Sequence, residues 1–256
     1  MHKATLGLMV LALGAAAAAT AFFSQPIQAQ QQEDGFKNLQ YFPSDISRPE
    51  LIGRMRNFSF ALGAPCTHCH GTEEQTGFNL QGVDFSLDIK PTKAKAREML
   101  KIVDAINGEL LSGLSSRSDR GLEVSCFTCH SGAPLPETVE HRVLRVVAEQ
   151  GAEAAVDDYR KLRERYFGSA AFNFKEQPLV EVSSELFRQD QAEASLKIAQ
   201  LNLEFHPRSR QSVWRAAQAH ERLGNIEKAR EGYQKLLELA PNHPLARKAL
   251  ENLKDK

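Results

Sequence analysis

Two copies of one five-residue pattern restrict this chain more than anything else in it: Cys66-Thr67-His68-Cys69-His70 and Cys126-Phe127-Thr128-Cys129-His130. A Cys-x-x-Cys-His run is the attachment signature of c-type haem. The chemistry dictates the spacing. Two thiols must reach two vinyl groups on one edge of a flat porphyrin, and two intervening residues set that reach. The histidine directly after the second cysteine then swings over the ring face, where its imidazole meets iron. The two motifs use all four cysteines, so none is left for a structural disulfide elsewhere. Without the histidines, each pair would read as a redox-active dithiol or as half of a zinc site. The trailing histidine in both copies, and the long separation of Cys69 from Cys126, argue for haem.

Such haem is attached on the far side of the bacterial membrane, and the N-terminus agrees with that. Residues 1–29 read as a targeting segment. His2 and Lys3 form a weakly positive start, Leu6 to Phe23 is an unbroken run of apolar and small residues, and Ala29 offers a small residue at a cleavage point. No cysteine lies near that point, which excludes a lipid-modified anchor. The run, about 18 residues, is also long enough to span a bilayer if it is retained. Two readings therefore stay open, a cleaved signal peptide and an N-terminal anchor; in both, the body is exported, to the periplasm or its equivalent. Lys+Arg and Asp+Glu both number 32, so no basic field points to nucleic acid.

The first motif is fed by a helix. Ser47 can cap it, Pro49 suits its first turn, and Glu50 can close a capping box. Leu51, Ile52, Met55, Phe58 and Leu62 then follow a 3.6-residue period. Gly63 ends the helix and Pro65 prevents its continuation. Before it, Gln30 to Asp45 is polar, with a short extended piece expected at Leu39 to Phe42. After it, Gly71 to Lys90 reads as a loop, longer than a compact domain normally tolerates unless a porphyrin supplies the missing core. A second helix opens at Pro91-Thr92 with Thr92 as its cap. Its expected buried stripe is Ala96, Met99, Leu100, Val103 and Ile106, and Asn107-Gly108 stops it. A polar connection, Leu110 to Glu123, leads to the second motif, so one module of helix, connection and motif occurs twice.

From Glu137 onward the glycine and proline density drops, and two or three helices are expected between Thr138 and about Asp190. Pro207 and Pro241 then stand 34 residues apart, the tetratricopeptide period. Gly224, Ala229, Tyr233, Leu236 and Leu239 match that helix-turn-helix unit. The preceding unit is poorer, with Asp190 where glycine is common and Ser195 where alanine is usual. The expected architecture is mainly α: a loop-rich dihaem domain over 38–135, a helical linker over 136–178, and tetratricopeptide-like repeats over 179–256.

Two haem c groups are implied, held covalently by Cys66, Cys69, Cys126 and Cys129, with His70 and His130 as proximal iron ligands. A sixth ligand is needed at each iron that is not to bind small molecules. Met1 and Met9 fall in the targeting segment, leaving Met55 and Met99, one on the helix before each motif. Both are read as axial ligands, against the plainer reading of ordinary core methionines. His141 is the competing donor, for a bis-histidine site. His68 points away from its own haem, and His206, His220 and His243 are expected on the surface. Arg54 and Arg56 flank Met55 and either meet haem propionates or are solvated.

The segments Leu51 to His70 and Pro91-Thr92-Lys93 through Met99 to His130 resemble modules of the cytochrome c subunit of photosynthetic reaction centres, over residues 38–135. In that family a helix bearing a methionine ligand precedes each Cys-x-x-Cys-His. Reaction-centre members carry four haems and usually a lipid-anchored cysteine, whereas this chain has two motifs and no such cysteine. It is more similar to shorter dihaem relatives with a tetratricopeptide-like tail. The resemblance implies electron transfer between a quinol-oxidising complex or soluble carrier and a downstream acceptor such as an oxidase. Repeat arrays present extended concave faces, so the tail is read as a protein-docking surface. A dihaem enzyme such as a peroxidase is the alternative; it needs one iron with an open sixth position. A zinc or thiol-redox interaction module is the third reading.

Overall fold

The computed structural model describes residues 36–114 and 121–254. The targeting segment and part of the connection before the second motif lie outside the described residues. Ten α-helices occur among those described: α1 Arg48–Leu62, α2 Pro91–Ala105, α3 Cys126–His130, α4 Val139–Gln150, α5 Ala152–Tyr166, α6 Glu176–Arg188, α7 Ala192–Phe205, α8 Arg210–Arg222, α9 Ile226–Leu239 and α10 Pro244–Asn252. No strand occurs among them. The mainly α architecture expected from periodicity is what the chain adopts.

The two halves pack by different means. From α4 onward, each helix buries an apolar stripe against its neighbours. Val139, Val143, Tyr159, Leu179, Leu186 and Ile198 form one buried centre spanning α4 to α7. Val213, Ala217, Tyr233 and Leu236 form the next, spanning α8 and α9 and closed by Ala246 of α10. Before α4, the only fully buried apolar side chains among the described residues are Ala61, Ala64 and Ala133. Among the described residues, thirteen of the fifteen exposed large apolar side chains lie between Ile52 and Leu135, including Phe60, Phe78, Phe85 and Met99. Exposed apolar groups in that density need a large apolar partner.

The repeat geometry explains the imperfect unit. Asp190 adopts φ +61° between α6 and α7, where Gly224 adopts φ +74° between α8 and α9. Aspartate is among the few side chains that enter this left-handed region at modest cost, and Arg222 pairs with it. Ser195 is fully buried, as Ala229 is, and its hydroxyl donates to the Ser183 carbonyl at 2.7 Å. Small size is conserved at both positions; only the hydrogen bond is added. Arg142 joins α4 to α5 through both oxygens of Asp158, at 2.6 and 2.8 Å.

Several local expectations are corrected. Leu39 to Phe42 is irregular and bends over Gln40 to Phe42, its side chains tying it to other segments in place of a strand partner: the Tyr41 hydroxyl donates to Asp104 at 2.6 Å, and Phe42 stacks on Phe58. Thr92 does not cap α2; the cap position is Lys90, and the Thr92 hydroxyl donates to the His68 carbonyl. Asn107-Gly108 does not stop the chain's winding, which continues as one wide turn over Ile106–Leu110. The stripe on α2 is not buried in protein: Met99 is 38% exposed, and the buried side chain of that helix is Lys93. His206 is half-buried with Nε2 facing the Phe174 carbonyl at 3.3 Å. His243 is half-buried against Trp214, and Nδ1 of the half-buried His220 has no partner.

Leu236 is wholly buried between α8 and α9. Leu236→Ala is expected to lower the free energy of unfolding by about 2–5 kcal/mol, read from urea denaturation of the full chain.

Candidate haem-binding site

Helix α1 positions the first motif. The Ser47 hydroxyl accepts from the Glu50 amide at 3.3 Å, and the helix ends at Gly63, whose φ of +57° is left-handed. The chain then turns through a single 3₁₀ turn, Cys66–His68, with the His70 amide donating to the Cys66 carbonyl at 3.1 Å. The second motif is itself the short helix α3. Ser125 and Thr128 form a reciprocal capping box at its start, and Ser131, with φ +50°, closes its end. Both motifs thus place two cysteines one turn apart, although by different backbone paths. All four thiols are unbridged, and burial pushes those of Cys69 and Cys126 up.

Each motif histidine has one ring nitrogen committed to a backbone carbonyl. Nδ1 of His70 lies 3.2 Å from the Phe85 oxygen, and Nδ1 of His130 lies 2.9 Å from the Ala133 oxygen. A carbonyl only accepts, so Nδ1 carries the proton in both rings and Nε2 is left with its lone pair. That is the tautomer an iron-binding imidazole requires. Burial, and then the nearby Lys93, push the His70 imidazole below its ordinary range, which keeps the ring neutral.

The residues therefore fit haem c. Two thiols, one oriented imidazole and an apolar surround occur at each motif. Among the described residues, no three His, Cys, Asp or Glu side chains converge into a set that could hold a metal ion unaided. Haem would not ask for one, because a porphyrin would bring most of the iron's donors itself and the motif histidines would add theirs.

The loop from Gly71 to Lys90 is held by buried lysines. Lys90 donates to the carbonyls of Thr67 and Gln75, the latter at 2.7 Å. Lys93 donates to Phe85 and Leu87 at 2.9 and 2.7 Å, and pairs with Asp88 at 2.9 Å. Arg97 grips both oxygens of Asp88 at 2.9 Å. Sequence reasoning missed these lysines because lysine is almost always solvated. No local signal distinguishes them; their acceptors are scattered over the preceding loop. Asn107 is a second omission. Its amide both donates to and accepts from the backbone of Val124 at 2.8 Å, two residues before the second motif.

The two motifs meet through the end of α1. The Gly132 amide donates to the Ala61 carbonyl at 2.9 Å, and the Phe60 and Phe127 rings stack 5.3 Å apart with an 11° tilt. A Cβ on Gly63 would lie 2.0 Å from the Gly132 oxygen, so glycine is required there for close approach as well as for its φ. On the other side of the second motif, Ala133 is buried in the same apolar centre as α4 to α7. Met55 is half-buried on α1; Arg54 beside it is exposed and pairs with Glu50 at 3.4 Å; His141 is exposed on α4.

Comparison with known proteins finds likenesses in both halves of the chain. Residues 77–176 match the sequence model of the family described as photosynthetic reaction centre cytochrome C subunit, and residues 210–252 match that of the tetratricopeptide repeat. The first match opens beyond Cys66–His70 and carries Met99 and the second motif. The chain is 31% identical over 105 residues to cytochrome c-554 of Chloroflexus aurantiacus, a stretch covering 38% of this chain and 22% of the relative. It thus spans about a fifth of the length of the curated relative it matches. Among solved structures, it is similar to the first tetratricopeptide domain of human RPAP3, with 19% identity, TM-score 0.33, and coverage of 46% of this chain and 87% of that one. It is also similar to the Sgt2 tetratricopeptide domain of Aspergillus fumigatus, with 18% identity, TM-score 0.32, and coverage of 46% and 75%. The chain resembles a c-type cytochrome joined to a tetratricopeptide region.

Two outcomes follow from the clamps. Gly63→Ala places a side chain in the left-handed region, about 1–2 kcal/mol, and against Gly132 as well; urea denaturation is expected to show a loss larger than that alone. Arg97, and then Lys93, hold the Asp88 carboxyl well below the usual carboxylate range. Its contribution is present above the ordinary carboxylate value and is lost only as pH falls through the depressed one. Hydrogen exchange of the amides from Ser86 to Lys90, corrected for intrinsic rates, is expected to show constant protection from pH 7 to pH 5. Asp88→Asn is expected to reduce that protection at pH 7.

Proposed function

We propose that this chain is an exported dihaem c-type cytochrome that passes electrons between redox partners through two covalently held, Met/His-ligated haems. One observation carries the reading: both motif histidines point Nδ1 at a carbonyl, leaving Nε2 for iron beside two free thiols. Bound haem supplies one-electron exchange between ferric and ferrous iron. The chain's own residues do the rest. Cys66, Cys69, Cys126 and Cys129 tether the rings, and His70 and His130 are the proximal ligands. Met55 and Met99 provide the sixth ligands from α1 and α2. A thioether favours the ferrous state relative to a second imidazole, so both sites are tuned to high potential.

The exposed side of Met99 supports this role, because a methionine that must reach iron cannot be packed wholly in protein. The exposed phenylalanines and leucines around the motifs are the surface a porphyrin would cover. The donors and acceptors in this reading are redox proteins, a quinol-oxidising complex, a soluble carrier or an oxidase, met in the periplasm. The helical tail offers them a docking surface, and the N-terminal segment, if retained, tethers the protein to the membrane.

Met55→His and Met99→His, each made alone in haem-loaded protein, test the ligand set. Each is expected to lower the midpoint potential of one haem and to abolish half of the near-infrared sulfur-to-iron band. An unchanged band in both variants overturns the assignment. A high-spin iron in either redox state of the unaltered protein points instead to a peroxidase-like enzyme.

A further inference from the structure

We infer that Lys93 is a positioning residue for the first haem: it shares the Phe85 carbonyl with His70 and thereby raises the reduction potential at Cys66–His70. The inference rests on the electron-transfer reading above. The Phe85 oxygen has two lone pairs and uses both, accepting from His70 Nδ1 at 3.2 Å and from Lys93 Nζ at 2.9 Å. Lys93 is only 8% exposed and is fixed further by the Leu87 carbonyl at 2.7 Å and by Asp88 at 2.9 Å.

The direction follows from ligand basicity. The harder an acceptor pulls on the Nδ1 proton, the more electron density Nε2 can donate to iron. An ammonium on the same oxygen drains its lone-pair density and weakens that pull. His70 is then a poorer donor, and the ferrous state is favoured. Through-space electrostatics act with the same sign. Asp88 carries one negative charge between two cations, Lys93 and Arg97, so the cluster is net positive and disfavours the more highly charged ferric centre. The second motif lacks this device. His130 Nδ1 donates to Ala133 at 2.9 Å, and among the described residues no cation reaches that oxygen. Two motifs of identical spacing are therefore given different electronic surroundings by one lysine.

The test uses the full chain with both haems bound, titrated optically, with the ring-proton resonances of the axial histidines followed by NMR. Lys93→Gln keeps a donor at the carbonyl but removes the charge. It is expected to lower the potential of one haem, leave the other unmoved, and shift the His70 ring protons in the imidazolate direction. Asp88→Asn removes the counter-charge and is expected to shift the same haem upward. A lysine that only staples the loop predicts no such pair of opposite shifts. If both haems are bound and both potentials stay put, or if the two variants move them in one direction, the inference falls while the carrier reading stands. If the native holoprotein carries no haem at the first motif, both fall together.

Discussion

The N-terminal half holds two motif imidazoles against backbone carbonyls in a region with almost no protein core. Ala61, Ala64 and Ala133 cannot fix a domain by burial alone. The structure relies on hydrogen bonds to backbone carbonyls, and it concentrates them around the two motifs. Phe85 and Ala133 each take a ring proton; Thr67, Gln75 and Leu87 take lysine protons; His68 takes the Thr92 hydroxyl proton. A buried ammonium is tolerable only when several oxygens surround it, and each lysine has found at least two.

The contact between α1 and α3 joins the two separate motifs into one unit. The Gly132–Ala61 hydrogen bond and the Phe60–Phe127 stack place the exit of the first helix on the body of the second motif. Ala133 then passes the second motif into the apolar centre of the helical half. A continuous line of contacts therefore runs from the first motif to the repeats, so the tail is mechanically joined to the second motif.

The sequence was a good guide wherever the physics was local. The ends of α1, the cap at Ser47 and the left-handed glycine at Gly63 depend on residues a few places apart. The same is true of the repeat, where Asp190 and Ser195 looked like flaws yet occupy the geometry of Gly224 and Ala229. The failures were non-local. Thr92 resembled a cap by residue type, yet α2 already begins at Pro91 and the Thr92 hydroxyl donates to the His68 carbonyl, 24 residues away. Asn107 resembled a stop because its partner, Val124, lies across the connection. Met99 looked buried because periodicity records an apolar face without saying what covers it.

Chain chemistry by itself determined the helical class, the repeat period and the two Cys-x-x-Cys-His motifs from which the haem reading is drawn, since each follows from spacing along a few turns of backbone. Only the tertiary structure decided which carbonyls orient the two rings, that lysines rather than apolar groups fill the loop interior, and that the motifs touch through α1. Those outcomes turn on pairs such as His70 with Phe85 and Lys90 with Thr67. A backbone carbonyl is present at every residue and carries no side-chain signature, so its choice as an acceptor is invisible until the chain has folded.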